Sequence, residues 1–416
     1  MNQLFNQVKY DLSKLIKNDT VVVCVSTGVD SMVLFNLVKD VTNNLIVAHV
    51  NHQQREESFK EQEYIVNLCK KLNIKCYVKE LFFDTHQNFQ ANARNKRYEF
   101  FKDVMEKENA KYLLTAHHAN DDLETIIMRL IKSTSLKGYA GIEKLQKWNN
   151  YFIYRPLLSV SKEDIYLYAK TNNILFFEDK SNSSNEYLRN RVRHLIVPQM
   201  EEENPSIYKE IEIFKEHILN CNKLLFEKIN NFIKTSVETH NNIISIKLDD
   251  FKNQSLYLQE QILFELLKQY QLSKQLISEL LKQINNDKSL IVNQVKDNLT
   301  FIKEYGYIRI GYINKIPEID IEICGDTTIE IDNFGKIIVD KNICYFETIN
   351  SKVWYNIYAL PVRIRNRLPG DKILINGKLR SVSDYLTNKK VSHIYRDNLL
   401  VLTNKENQVL FILGMK

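Results

Sequence analysis

The chain has no run approaching the ~20 apolar residues that a bilayer-spanning helix needs, which argues against a membrane protein. Its first stretch, Met1 to Lys17, mixes charges and amides in an amphipathic pattern without an unbroken apolar core, so neither a signal peptide nor an anchor is expected there. The six cysteines, Cys24, Cys69, Cys76, Cys221, Cys324 and Cys344, include no C-x-x-C pair. They read as reduced thiols of a cytoplasmic protein and point to neither a structural zinc nor an iron–sulfur cluster. Repeats and low-complexity tracts are missing. So are the two commonest nucleotide signatures, the lysine of the Walker loop and the G-x-G-x-x-G spacing of dinucleotide folds.

What is present is an ordinary globular composition, 44% apolar and 26% charged, over 416 residues, enough for two or three domains. The net charge of +6 is unevenly spread. From Val353 to the end eleven Lys and Arg face four acids, a net +7, so that the rest of the chain is close to neutral. A basic segment of this kind points to a polyanionic partner, with a solvated charged face as the alternative.

Along the first ~200 residues, short β-branched runs alternate with longer amphipathic ones. The pattern predicts strands at Thr20–Val25, Leu45–Val50, Ile74–Lys79 and Tyr112–Thr115, and helices near Asp30–Lys39, Glu57–Leu72, Phe89–Glu108 and Asp121–Ile131. Regular alternation implies an α/β fold with a doubly wound parallel sheet, whose ligands bind beyond the carboxyl ends of the strands. Polar clusters fall at three such ends: Ser26–Ser31, His49-Val50-Asn51-His52 and Ala116 to Asp122. In the first, Ser26-Thr27-Gly28-Val29-Asp30-Ser31, small residues and hydroxyls precede a helix start, the geometry that cradles phosphate. A carboxylate facing a polyphosphate is repulsive unless a divalent cation bridges them, so Asp30 suggests Mg²⁺ and a nucleoside triphosphate. An ordinary helix cap built from Ser, Thr and Asp is the competing reading.

Pro198 and Pro205 bracket the acidic stretch Glu201–Glu203 and suggest a boundary. The expected organisation is a catalytic domain over 1–205, a mostly helical central domain over 206–315, and a small, basic, strand-rich domain over 316–416.

Together these features resemble the tRNA(Ile)-lysidine synthases, enzymes of the PP-loop ATP pyrophosphatase superfamily. Ser26–Ser31 stands where that family has S-G-G-x-D-S, and His49-Val50-Asn51-His52 matches H-V-x-H. Ala91-Asn92-Ala93-Arg94-Asn95-Lys96-Arg97-Tyr98 matches A-x-A-R-x-x-R-Y, and Thr115 to Thr125 matches T-A-H-H-x-D-D-x-x-E-T. Arg155-Pro156-Leu157-Leu158, Glu178-Asp179-Ser181-Asn182 and Arg189-Asn190-Arg193 complete the ordered set. In the basic tail, Arg363, Arg365, Pro369-Gly370-Asp371, Lys389, Lys390 and Arg396 look like the family's terminal tRNA-binding domain, without the proline expected after the lysines. Thr27 replaces the first glycine of the loop. Because a β-branched residue resists positive φ, this position is expected in an ordinary backbone region.

The resemblance implies that ATP adenylates the C2 oxygen of the wobble cytidine of tRNA(Ile), and that the ε-amine of free L-lysine then displaces AMP. It implies ATP and Mg²⁺ as cofactors, with Ser26, Thr27, Gly28, Val29, Asp30, Ser31 and His52 on the nucleotide and Asp30 on the metal. Asp30, His118, Asp121 and Asp122 are the expected catalytic groups, the last three facing the loop. Arg94, Arg97, Arg189, Arg193, Arg363, Arg365, Lys389, Lys390 and Arg396 are the expected tRNA contacts. Neither a membrane nor a protein partner is implied. Rival readings are a 2-thiolating enzyme of the same superfamily, which would need paired cysteines, and a non-catalytic RNA-binding protein.

Overall fold

A computed structural model describes residues 2–51, 57–81, 89–132, 134–177, 187–240, 242–312, 318–331, 335–341, 343–347, 352–357, 360–375, 378–396 and 398–415. The chain divides into two compact units, Met1–Leu224 and Leu225–Lys416. No described helix is long and apolar enough to cross a membrane.

In the first unit, helix α1 (Asn2–Ile16) precedes an alternation of β1 (Val21–Cys24), α2 (Val29–Lys39), β2 (Leu45–Asn51), α3 (Glu57–Lys71), β3 (Lys75–Glu80), α4 (Phe89–Lys107), β4 (Tyr112–Leu114) and α5 (Ala119–Lys132). The short α6 (Leu136–Tyr139), the hairpin β5 (Leu145–Trp148) and β6 (Tyr151–Tyr154), and α7 (Lys162–Thr171) follow. Next come α8 (Leu188–Arg191), one π-helical turn (Val192–Ile196), α9 (Val197–Glu203) and the long α10 (Ile207–Ser236).

The strands form one sheet in the order β3-β2-β1-β4-β6-β5, parallel except for the β5–β6 hairpin at its edge. Strand β1 shows why its sequence is apolar at every position. Val21 and Val23 enter a core shared with α1, α2 and α7, while Val22 enters the opposite core with Phe100, Phe101 and Met105 of α4. All three valines are fully buried, the signature of a parallel strand covered on both faces. Successive strands run outward from β1 to β3 and then from β4 in the other direction, so the strand order reverses between β1 and β4. That switch point is where an open parallel sheet leaves a crevice for a ligand.

The second unit begins within α10. It contains β7 (Val237–His240), β8 (Ile243–Lys247), α11 (Leu248–Lys252), α12 (Leu256–Leu266), α13 (Lys274–Asn285), β9 (Ile291–Lys296), β10 (Leu299–Glu304) and β11 (Tyr307–Tyr312). These strands make a five-stranded antiparallel sheet, and its inner residues Ile246, Phe301, Ile308 and Ile310 pack on Ile262, Leu263, Ile277 and Leu280 of α12 and α13. Beyond it lie β12 (Asp320–Ile323), β13 (Thr327–Ile331), β14 (Gly335–Asp340), β15 (Ile343–Glu347), β16 (Lys352–Asn356), β17 (Val362–Asn366), β18 (Lys372–Ile375), β19 (Lys378–Ser381), α14 (Val382–Asn388), α15 (His393–Arg396), β20 (Leu400–Thr403) and β21 (Val409–Ile412). They build a four-stranded and a six-stranded sheet around one core that includes Ile337, Phe346, Ile364 and Leu402.

Glu304 ties the five-stranded sheet to α15. Its carboxylate is 2% exposed and accepts from the backbone N–H of His393 at 3.2 Å, from His393 Nδ1 at 2.7 Å and from Arg309 Nη1 at 3.3 Å. Removing a buried anion strands the groups that faced it, so Glu304→Ala is expected to cost the second unit about 3–5 kcal/mol. Chemical denaturation followed at Trp354, the tryptophan of that unit, checks this against the wild type.

Candidate active site

The loop between β1 and α2 carries the first site residues. Helix α2 is capped by Gly28, in extended backbone, and no side chain accepts from its first N–H groups. The simple cap reading of the serines therefore fails, and the helix start is left open to an anion. Ser31 Oγ instead closes the loop, accepting from Ser26 N at 3.1 Å and donating to the Gly28 carbonyl at 3.0 Å. His49, on neighbouring β2, braces the end of β1 through a 2.8 Å bond between its Nδ1 and the Val25 carbonyl, and burial lowers its pKa. His52 and the Glu178-Asp179-Ser181-Asn182 motif lie outside the described residues.

Thr27 corrects a sequence expectation. Its φ is +66°, the left-handed region, although the residue is β-branched and completely buried. Three contacts hold it there. Thr27 Oγ1 lies 2.5 Å from the Ser26 carbonyl and 3.1 Å from Glu61 Oε2 on α3, and its own carbonyl accepts from Phe177 N at 3.0 Å. The loop thus keeps the backbone path a glycine would take, with tertiary hydrogen bonds offsetting the steric cost.

Asp30, in the first turn of α2, does not stand alone. Lys162 Nζ bridges both its oxygens at 2.7 and 2.6 Å. On the facing strand end, the buried His118 places Nε2 3.8 Å from Asp30 Oδ2 and 3.4 Å from Asp121 Oδ2. Its Nδ1 is buried without a hydrogen-bond partner. Asp121 also reaches back to accept from the His118 backbone N–H at 3.2 Å, so it caps α5 while facing the site. Burial pushes the Asp121 carboxyl upward, but His118 and Arg189 outweigh it and hold the group below its usual range.

Arg189 and Arg193, expected on tRNA, are ion-paired to α5. Arg189 donates to Asp121 Oδ1 at 2.8 Å and to Glu124 Oε2 at 2.8 Å; Arg193 Nε donates to Glu124 Oε1 at 2.6 Å. Asp121 and Glu124 are three residues apart on one face of α5, and the two arginines are four apart on α8 and the π turn, so the pairs interlock. Asp122 does not join them. It accepts from Ile142 N and pairs with Lys215 of α10, away from the loop; burial raises its pKa against the pull of that lysine. Gly141 is required beside it: a Cβ there would lie 2.3 Å from Asp122 Oδ1, and its φ is +69°. Of the three groups expected to face the loop, His118 and Asp121 do so and Asp122 does not.

Next to this cluster a cavity of about 440 Å³ is lined by Arg94, His117, Arg129, Lys137, Arg155 and Arg189 among others. Arg129 is oriented by the carbonyls of Gly138 and Gly141, and Arg155 by the Glu143 carbonyl at 2.7 Å and Gln146 Oε1 at 3.0 Å. Arg94 is exposed on α4, its guanidinium 4.9 Å from the Tyr98 ring; Arg97 lies 5.9 Å from the same ring with its Nε buried and unpartnered. In the second unit the basic candidates divide. Arg365 is buried and spent on Asp371, Asn407 and the Asn366 carbonyl; Arg396 is buried on Val391 O, Thr387 Oγ1 and Tyr305 OH. Arg363 pairs with Asp320 on the surface, and Lys389 and Lys390 are exposed. Arg365 is therefore neutralised within the fold, and Arg396, held by neutral acceptors, is buried; neither presents its guanidinium at the surface.

Lys162, Lys215, Glu124, Arg129 and Arg155 have no role that the sequence alone assigns. For Lys162 a signal exists: it is the first residue of α7, where a cation opposes the helix dipole and needs an anion nearby.

Burial pushes the His117 pKa down from 6.5 to about 4. As the pH falls, the unfolded chain takes up this proton before the folded one, so stability is full above about pH 6.5 and is lost toward pH 4. The first unit is expected to weaken across that window, and His117→Gln to flatten the dependence. Denaturant midpoints measured at intervals between about pH 7 and about pH 4 check this.

Residues 1–200 match the family model of the PP-loop domain. The chain is 30% identical to a tRNA(Ile)-lysidine synthase of Enterococcus faecalis over 95% of its own length and 90% of that protein. It is equally 30% identical to a tRNA(Ile)-lysidine synthase of Bacillus anthracis, covering 96% of this chain and 89% of that one. A bifunctional TilS/HprT protein of Listeria innocua is 28% identical over 98% of this chain and 66% of that protein. With residues 1–200 matching the PP-loop domain and these relatives matched nearly end to end, the chain belongs to the tRNA(Ile)-lysidine synthase family.

Proposed function

We propose that this protein ligates free L-lysine to C2 of the wobble cytidine of tRNA(Ile), using ATP and working in the cytoplasm. The observation that carries the reading is the juxtaposition of Asp30, His118 and Asp121 at an uncapped helix start on the sheet's switch point. In the first step the cytidine O2 attacks the α-phosphorus, the bond to the bridging oxygen breaks, and pyrophosphate leaves with the electron pair. In the second, the lysine ε-amine forms the new bond to C2 and AMP departs with the former carbonyl oxygen.

The residues fit these cofactors. The open N–H groups of α2 and the hydroxyl of Ser26 face where a triphosphate would lie. Among the described residues no three His, Cys, Asp or Glu converge as a metal cage. Mg²⁺ bound with a nucleotide typically takes one or two carboxylates, the rest of its shell being phosphate and water, so Asp30 suffices to hold it. When bound it would neutralise charge on the departing pyrophosphate. The amine of lysine must lose a proton before it attacks, and His118, with Asp121 beside it, is the base. Asp122, committed to Lys215, is not.

The 2-thiolating rival loses support from the fold. Cys69 and Cys76 do meet, but Cys76 is the second residue of β3, at the end of the sheet opposite the site. A sulfur carrier would be misplaced there. Incubation with cytidine-wobble tRNA(Ile), ATP and labelled lysine is expected to place label in the tRNA and release AMP and pyrophosphate. Unlabelled tRNA with no pyrophosphate would leave a non-catalytic RNA-binding protein.

We assign tRNA docking in the second unit to Lys389 and Lys390, and place Arg94 and Arg97 at the anticodon end. Replacing both lysines by Ala is expected to lower the log–log salt slope of tRNA binding by roughly 0.7–0.9 for each phosphate that is no longer neutralised. Binding titrations at several salt concentrations read it directly, and Arg365→Ala is expected instead to lower stability.

A further inference from the structure

Lys162 and Asp30 are 132 positions apart, yet the ammonium sits on both carboxylate oxygens of the residue that would hold the metal. We propose that Lys162 occupies the cation seat on Asp30 in the nucleotide-free protein and, displaced from it when metal and ATP bind, becomes the donor to the leaving pyrophosphate. This rests on the ATP-dependent reading above and names a further catalytic residue for it.

Four observations point the same way. Lys162 opens α7 directly after Ser161, whose side chain caps the helix, so the lysine is a cation in the wrong turn for the helix dipole. Stability of α7 alone would disfavour it there, and the compensating anion is Asp30. Its base is fixed, because its backbone N–H donates to Asn120 Oδ1 at 2.9 Å at the start of α5. Its side chain is a third exposed, against 7% for His118, so the head can move while the backbone stays. Finally, Arg189 and Arg193 are held by Asp121 and Glu124, whereas the partner of Lys162 is the carboxylate that a divalent ion would claim.

The chemistry balances without a proton transfer. The α-phosphorus gains a bond to the cytidine oxygen and loses its bond to the bridging oxygen, and the electron pair goes to pyrophosphate. Lys162 stays protonated throughout, first as a counter-ion to Asp30 and then as a hydrogen-bond donor to the oxygen that gains charge.

The test uses the full-length chain with K162M, and K162Q as a second variant that keeps a polar head beside Asp30. Mn²⁺ binding without nucleotide is read by electron paramagnetic resonance, and pyrophosphate release is read with ATP, Mg²⁺ and tRNA(Ile). Freeing Asp30 is expected to tighten Mn²⁺ binding roughly tenfold or more, and loss of the donor to slow pyrophosphate release by about 10²–10³, the usual effect of deleting one preorganised donor. In a folded variant, either unchanged Mn²⁺ affinity or wild-type pyrophosphate release overturns the proposal. A wild-type protein that releases no pyrophosphate overturns the functional reading and the leaving-group role with it, while the Mn²⁺ measurement still decides whether Lys162 fills the metal seat.

Discussion

Three carboxylates crowd one end of the parallel sheet, and the first unit is organised around neutralising them. Asp30 and Asp121 both approach the same imidazole nitrogen, at 3.8 and 3.4 Å, and Glu124, 1% exposed, lies one helical turn further along α5. Two like charges about 4 Å apart repel by about 4 kcal/mol at the effective dielectric near a protein surface. No strand of the sheet supplies the opposing charge. It comes from later segments: Lys162 from α7, Arg189 from α8 and Arg193 from the π turn. These segments are brought onto α2 and α5 because a buried carboxylate such as Glu124 is tolerable only when paired.

The same logic of tertiary contacts overriding local preference explains Thr27. Left-handed backbone costs an ordinary residue about 1–2 kcal/mol, and β-branching makes it worse. Local sterics alone would place Thr27 elsewhere. The hydroxyl, however, finds Glu61 and the Ser26 carbonyl, and the carbonyl finds Phe177, so the position is over-determined from outside the loop. A glycine would reach the same φ more cheaply but would have no side chain with which to tether the loop to α3.

What could be read in advance follows from how far each signal reaches along the chain. Strands β1, β2 and β4 announce themselves because burial on both faces demands an apolar run, and each polar cluster that ends one is local in sequence. The edge hairpin β5–β6 has one weakly covered strand, with Leu145 and Lys147 exposed, and so no comparable run. Roles that depend on a distant partner were not legible. The pairing of Arg189 and Arg193 with Glu124 and Asp121, that of Asp122 with Lys215, and the burial of Arg365 and Arg396 in a basic tail all depend on partners that no local pattern announces. Net charge measures composition, whereas binding depends on which charges remain uncompensated.

That distinction sorts the arginines of the first unit. Arg189 and Arg193 are held by carboxylates, so their charge is cancelled where they stand. Arg129 and Arg155 are held by carbonyls and an amide, of Gly138, Gly141, Glu143 and Gln146, which fix the direction of a guanidinium without removing its charge. A neutral cradle costs an arginine its freedom and leaves its field intact; a carboxylate takes both. The cavity walls, where Glu143 is paired with Lys137, therefore keep a positive potential beside a cluster that is internally balanced, so an anion at the wall would meet charge that no ion pair of α5 has to give up.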